Sequence, residues 1–184
     1  MIDKDFSREH LEKLSTNSDY SIRCKVAENS HTPSYVLENL SRDVHPTVRF
    51  CVASNKNTSI SVLERLSNDE ESGIRTQVAQ NLNTSTSTLY KLSGDLDWFV
   101  RYYVANNLNT SSFGLENLSR DKTARIRASA IHNSSNIRLR KIMNVGIITN
   151  LEFKHKQFAY YAGRDLEWLK GWENRLFEIV KVET

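Results

Sequence analysis

Apolar residues along the chain fall into two interleaved series that share one period. Val26-Ala27, Val52-Ala53, Val78-Ala79 and Val104-Ala105, with Ala130-Ile131 as a degenerate fifth copy, recur in steps of 26 residues. The pairs Leu11/Leu14, Leu37/Leu40, Leu63/Leu66, Leu89/Leu92 and Leu115/Leu118 keep the same register. Three- and four-residue spacings within each series predict two short helices per period, each with one apolar face. In the copy from Thr58 to Asn83, the first helix carries Val62, Leu63 and Leu66 and ends at Ser67-Asn68-Asp69. The second runs over 73–79, with Ile74 and Val78 one turn apart. Asn57-Thr58-Ser59 offers an N-cap, and Thr32 before Pro33 a cap and first-turn pair. Helices of two or three turns do not hold alone in water, so their stability must come from stacking on the neighbouring copies.

Polar residues follow the same period. Arg23, Arg49, Arg75, Arg101 and Arg127 recur in phase, and an acid stands six residues before four of them, at Asp43, Asp69, Asp95 and Asp121. The first copy has Asn17 at that position, with Asp19 close by. An acid and an arginine in every period predict an intramolecular ladder, each guanidinium held by the turn of its own or the adjacent copy, rather than a phosphate-binding stripe. Asn29, Asn55, Asn81, Asn107 and Asn133 are expected to satisfy buried turn backbone between copies.

The string Val52-Ala53-Ser54-Asn55-Lys56-Asn57-Thr58, then Leu63-Glu64-Arg65-Leu66, with Asp43 and Val48-Arg49 ahead of it, resembles the variant leucine-rich repeat, a bacterial relative of HEAT-type repeats. The resemblance covers roughly residues 5 to 136. It implies an all-α, right-handed solenoid of about five 26-residue two-helix repeats, with either an α or a 3₁₀ form open to one helix of each pair. Some members of that family carry an iron–sulfur cysteine cluster ahead of the repeats. This chain lacks such a run, and the family supplies no catalytic motif, so no cofactor is expected.

Positions that change from copy to copy are where function is expected. On an ideal helix turning about 100° per residue, with Val48 at zero, positions 47, 50, 51 and 54 fall at about 200° to 300°, away from a core centred near 50°. Their counterparts are Ser21, Cys24, Lys25 and Glu28; Gly73, Thr76, Gln77 and Gln80; and Phe99, Tyr102, Tyr103 and Asn106. The fourth copy, preceded by Trp98, groups aromatics at outward positions. With Phe50 they form a candidate protein-binding surface. The alternative is that the C-terminal segment or a second chain covers them. Asp97 beside Trp98 is expected to be a helix cap.

The 184 residues are 39% apolar and 26% charged, with a net charge of +3. Six Gly and two Pro are few, which disfavours a turn-rich β fold. Charge is unevenly placed: residues 1–120 carry a net −2 and 121–184 a net +5. Lys122, Arg125, Arg127, Arg138, Arg140 and Lys141 lie in a stretch without an acid. Arg125 takes the counterpart position of Phe99 one copy on, and an interface of Lys122, Arg125, Arg138, Arg140 and Lys141 with nucleic acid is the alternative reading. After Asn136 the phase fails, which sets a solenoid at 1–136 and a capping segment at 137–184. In that segment Asp165 precedes a helical pattern of Leu166, Leu169, Trp172, Leu176 and Val180.

Cys24 and Cys51 form no C-x-x-C pair, and the five histidines show no metal-ligand spacing, so reduced thiols and no metal are expected. The absence of an apolar leader or span predicts a soluble, cytoplasmic chain without membrane contact. No phosphate loop, H-E-x-x-H or G-x-S-x-G occurs, so neither catalysis nor a small-molecule substrate is expected. A weak likeness to HEAT-like alkylpurine DNA glycosylases rests only on short helices bearing Trp, Asp and Arg.

Overall fold

The computed structural model describes residues 7–145, with side chains described through 134. Ten helices follow one another, and the described residues include no strand. The first helix of each pair has seven residues: α1 (Arg8–Leu14), α3 (Ser34–Leu40), α5 (Ile60–Leu66), α7 (Thr86–Leu92) and α9 (Ser112–Leu118). The second helices α2 (Tyr20–Glu28), α4 (Pro46–Ser54), α6 (Ser72–Gln80) and α8 (Trp98–Asn106) have nine. The last, α10 (Ala124–Val145), has 22. Every helix among the described residues is α, none 3₁₀. Both sets start at intervals of 26 residues, the period of the apolar series. The chain forms two compact units, Met1–Gly114 and Leu115–Thr184, whose division falls inside α9.

In the first unit the core is the two apolar series. Leu11, Leu37, Leu63 and Leu89 from the first helices and Val26, Val52, Val78 and Val104 from the second are buried, as are Ala27, Ala53, Ala79 and Ala105. Small Ala at the helix contact lets the second helices approach closely. The most extensive packing between elements of this unit is α2 on α4, α4 on α6 and α6 on α8.

Turn chemistry fixes each helix end. Ser7, Ser59 and Ser85 cap α1, α5 and α7 by accepting a backbone N–H three residues on. Thr58 is therefore not the cap of α5; its hydroxyl turns back and donates to the Val52 carbonyl at 2.6 Å, as Thr32, Thr84 and Thr110 do to Val26, Val78 and Val104. Pro33 occupies the N-cap of α3 without a side-chain bond, which corrects the expected Thr32-Pro33 cap. Each of these Thr hydroxyls is turned toward the last turn of the preceding helix, and the residue after it, Ser59 or Ser85, caps α5 or α7.

In the second unit Leu115, Leu118, Ile126 and Ala130 are buried. Helix α10 runs through Asn133 and through the boundary expected at 136. Earlier second helices stop at Asn29, Asn55, Asn81 and Asn107, each followed three residues later by the Thr that closes the turn. After Asn133 the chain reads Ser134-Ser135-Asn136, without that Thr, and the helix continues. The amphipathic pattern after Asp165 and most of the expected capping segment lie outside the described residues. None of the helices among the described residues is long and apolar enough to cross a membrane.

Candidate functional site

Two ladders occupy the periodic polar residues. Arg23, Arg49 and Arg75 each place two guanidinium nitrogens on the carboxylate 20 residues ahead, Asp43, Asp69 and Asp95, at 2.6 to 3.0 Å. The remaining nitrogen returns to the preceding turn: Arg75 Nη1 donates to the carbonyls of Asp69 and Glu70 at 2.8 and 3.1 Å. Arg23 does the same on Asn17 and Ser18, where the backbone carbonyl of Asn17 replaces that of an Asp. Arg101 Nη1 takes the Asp95 and Leu96 carbonyls, and Arg127 Nη1 those of Asp121 and Lys122. Arg23, Arg49 and Arg75 thus join two turns each, as the spacing of acids predicts.

Burial pushes the Asp43 and Asp69 carboxyls up, but their guanidinium and backbone N–H donors outweigh it and leave both below the ordinary 3.8. Hydrogen bonding to Asp43, Asp69 and Asp95 raises Arg23, Arg49 and Arg75 against the opposing effect of burial.

Asn55, Asn81 and Asn107 form the second ladder. The Asn81 amide donates to the Ala53 and Asn55 carbonyls at 2.8 and 2.9 Å while its oxygen accepts the Asn83 N–H. A third, exposed series was not read from the sequence although it has the same period: Asn57, Asn83 and Asn109 donate to the carbonyls of Ser30, Lys56 and Leu82. These residues line a cleft of about 540 Å³ with Ile60 and Leu82.

With the ladders assigned, the outward face of the second helices remains. Thr47, Phe50 and Ser54 on α4, Gly73 and Gln80 on α6, and Phe99 and Asn106 on α8 are exposed. Gln77, Tyr102 and Tyr103 are half-buried. Cys51 and Thr76, expected outward, are buried at 3% and 4% exposure, because close packing of α2, α4 and α6 covers the flanks of these helices. None of these twelve side chains is charged, in a chain that is 26% charged.

On α8 the rings touch in sequence. Trp98 meets Phe99 edge-on at 5.2 Å, Phe99 meets Tyr103 at 5.0 Å and 90°, and Tyr102 meets Tyr103 at 5.4 Å. Trp98 and Phe99 remain 46% and 42% exposed. The Asn106 amide donates to the Tyr102 carbonyl at 2.7 Å. Phe50, 38% exposed, stands on α4 with α6 between. At Gly73 a Cβ would meet nothing within 4 Å, so the outer surface of α6 is open there.

Asp97 caps α8 through the Phe99 N–H at 2.8 Å. The Ser72 hydroxyl and that N–H lower its pKa, which suits a helix cap and makes it a poor proton acceptor.

Of the alternative basic set, Lys122 and Arg125 are exposed in the second unit; Arg138, Arg140 and Lys141 lie on α10 beyond the described side chains. Cys24 and Cys51, expected as reduced thiols, are joined as a disulfide with their Cα atoms 5.7 Å apart. Their separation of 27 is one period plus one residue, which sets them side by side on successive helices. A scan against protein-family models finds no match to the chain, and a search of the curated proteins finds none either.

Proposed function

We propose that this chain is a right-handed α-solenoid of the variant leucine-rich repeat type, with about five 26-residue repeats and a C-terminal helical cap, and that it is a noncatalytic scaffold holding a protein partner on its second helices. The observation that carries the reading is the uncharged face of α4, α6 and α8 with aromatics concentrated at α8. A surface that holds phosphates places Lys or Arg toward its ligand, and here the periodic arginines are bound to turns instead. Successive second helices pack about 8–10 Å apart, so Phe50 on α4 and the α8 rings flank the Gly73 and Gln77 positions of α6. A polypeptide segment with uncharged side chains fits this surface, its apolar groups against the rings and its backbone within reach of Gln77, Gln80 and Asn106.

Nucleic-acid binding is the second reading, favoured by the acid-free stretch that begins with the exposed Lys122 and Arg125. Fluorescence anisotropy against labelled single- and double-stranded DNA and RNA separates the two. The scaffold reading expects no binding at physiological salt. Binding that falls log-linearly with salt and is lost on Arg138→Glu with Arg140→Glu would replace it with the second.

A further inference from the structure

At the first-helix end of the same layer, α2 and α4 gather the one trio of potential metal ligands found among the described residues: Cys24, Glu28 and Cys51, whose donor atoms lie within 4.8 Å of one another. Glu28 follows Cys24 by one turn, and its Oε1 is 3.9 Å from Cys24 Sγ and 3.6 Å from Cys51 Sγ. The Thr47 carbonyl oxygen closes another side, 3.8 Å from Cys24 Sγ. Cys51 is buried, Cys24 half-buried and Glu28 exposed, so the group is seated in the helix layer and opens to solvent.

We propose that, in the dithiol state, Cys24, Cys51 and Glu28 hold a thiophilic divalent cation of the zinc type, and that the disulfide is the state in which this site is closed. Tetrahedral zinc, with Zn–S near 2.3 Å and Zn–O near 2.0 Å, sets a sulfur and an oxygen ligand about 3.5 Å apart. The Glu28 oxygen stands 3.6 and 3.9 Å from the two sulfurs while they are joined, close to that edge; on reduction the sulfurs must part to the S···S edge of the same tetrahedron, about 3.8 Å. Two thiolates select a soft or borderline ion, and the carboxylate favours zinc over copper(I), which prefers sulfur alone. Two thiolates beside a carboxylate repel one another strongly unless a cation stands between them. Water or the Thr47 carbonyl completes the coordination.

The chemistry balances with a small dithiol as reductant. It gives two electrons and two protons to the Cys24–Cys51 bond and becomes a disulfide itself. The cation then displaces both thiol protons into solvent without changing its oxidation state.

The test uses the full chain, reduced with a phosphine that is then removed under anaerobic conditions, and titrated with Co²⁺ and then Zn²⁺. One equivalent of Co²⁺ is expected to give a thiolate-to-cobalt absorption band that Zn²⁺ displaces, and Zn²⁺ is expected to slow alkylation of both cysteines in the unaltered protein. Cys24→Ser and Cys51→Ser each abolish the band, Glu28→Gln weakens Zn²⁺ binding about tenfold or more, and the disulfide form binds neither ion. Circular dichroism of each variant separates a lost site from a lost fold. No band in the reduced protein, unprotected thiols, a band that survives Cys51→Ser, or full affinity in Glu28→Gln would each overturn the proposal.

Discussion

At the scale of single residues, the Arg–Asp ladder and the asparagine ladder do different work, and substitutions separate them. Arg75→Ala takes the guanidinium from the half-buried Asp95 carboxylate, which keeps only the Asp97 N–H, and from the Asp69 and Glu70 carbonyls, and a loss of about 2–4 kcal/mol is expected in denaturant unfolding. Asn81→Ala leaves the Ala53 carbonyl and the Asn83 N–H without the amide and the Asn55 carbonyl with only the Thr58 N–H, for about 2–3 kcal/mol; Asn81→Asp, which keeps only the acceptor, is expected to be no better. The ladder also sets an acid limit. Asp43 and Asp69 have depressed folded pKa values, so their contribution is complete above the ordinary 3.8 and is lost as the pH falls through the lower folded values. Wild type should therefore exceed Asp69→Asn in denaturant midpoint at pH 7, with the gap narrowing below about pH 4. A gap independent of pH would remove the carboxylate from this role. The periodic arginines and acids made this ladder legible in the sequence. The direction of each bond was not, because one guanidinium serves the turn behind it and the carboxylate ahead of it at once.

Among the elements, the length of each second helix tracks the turn that follows it. Four second helices stop where Asn is succeeded three residues later by Thr, whose hydroxyl folds back onto the last turn. The fifth copy lacks that Thr, and α10 runs on to Val145. Ser135→Asn with Asn136→Thr restores the turn and is expected to end the helix near Asn133, seen as lost helical carbon shifts from residue 134 onward in NMR. Unchanged helical shifts would assign the length of α10 to something other than the missing turn. The loss of phase after Asn136 is plain in the Leu pairs of the sequence, whereas the continuation of α10 past Asn133 follows from the Thr series, which the Leu pairs do not contain. The Cys24–Cys51 bond is likewise absent from local spacing, since a separation of one full period plus one residue becomes a contact only when successive second helices stack.

For the molecule as a whole, the second helices form a layer whose outward side chains are uncharged across α4, α6 and α8, and this layer is the surface on which the proposed function rests. Aromatic content and periodicity place Phe99, Tyr102 and Tyr103 together on one helix. They did not show that Cys51 and Thr76 sink into the packing while Gly73 leaves open space, since that depends on how closely neighbouring helices approach. The most direct measurement is to select peptides from a random display library on the purified chain and compare their affinities for wild type, Phe99→Ala with Tyr102→Ala, and Gly73→Phe. Gly73→Phe fills open space and should preserve the fold. The account predicts uncharged, aromatic-bearing peptides whose affinity changes little with salt and falls about tenfold or more in both variants, while thermal unfolding shows each variant still folded. Peptides that bind all three proteins equally, or whose affinity follows salt log-linearly, would contradict it.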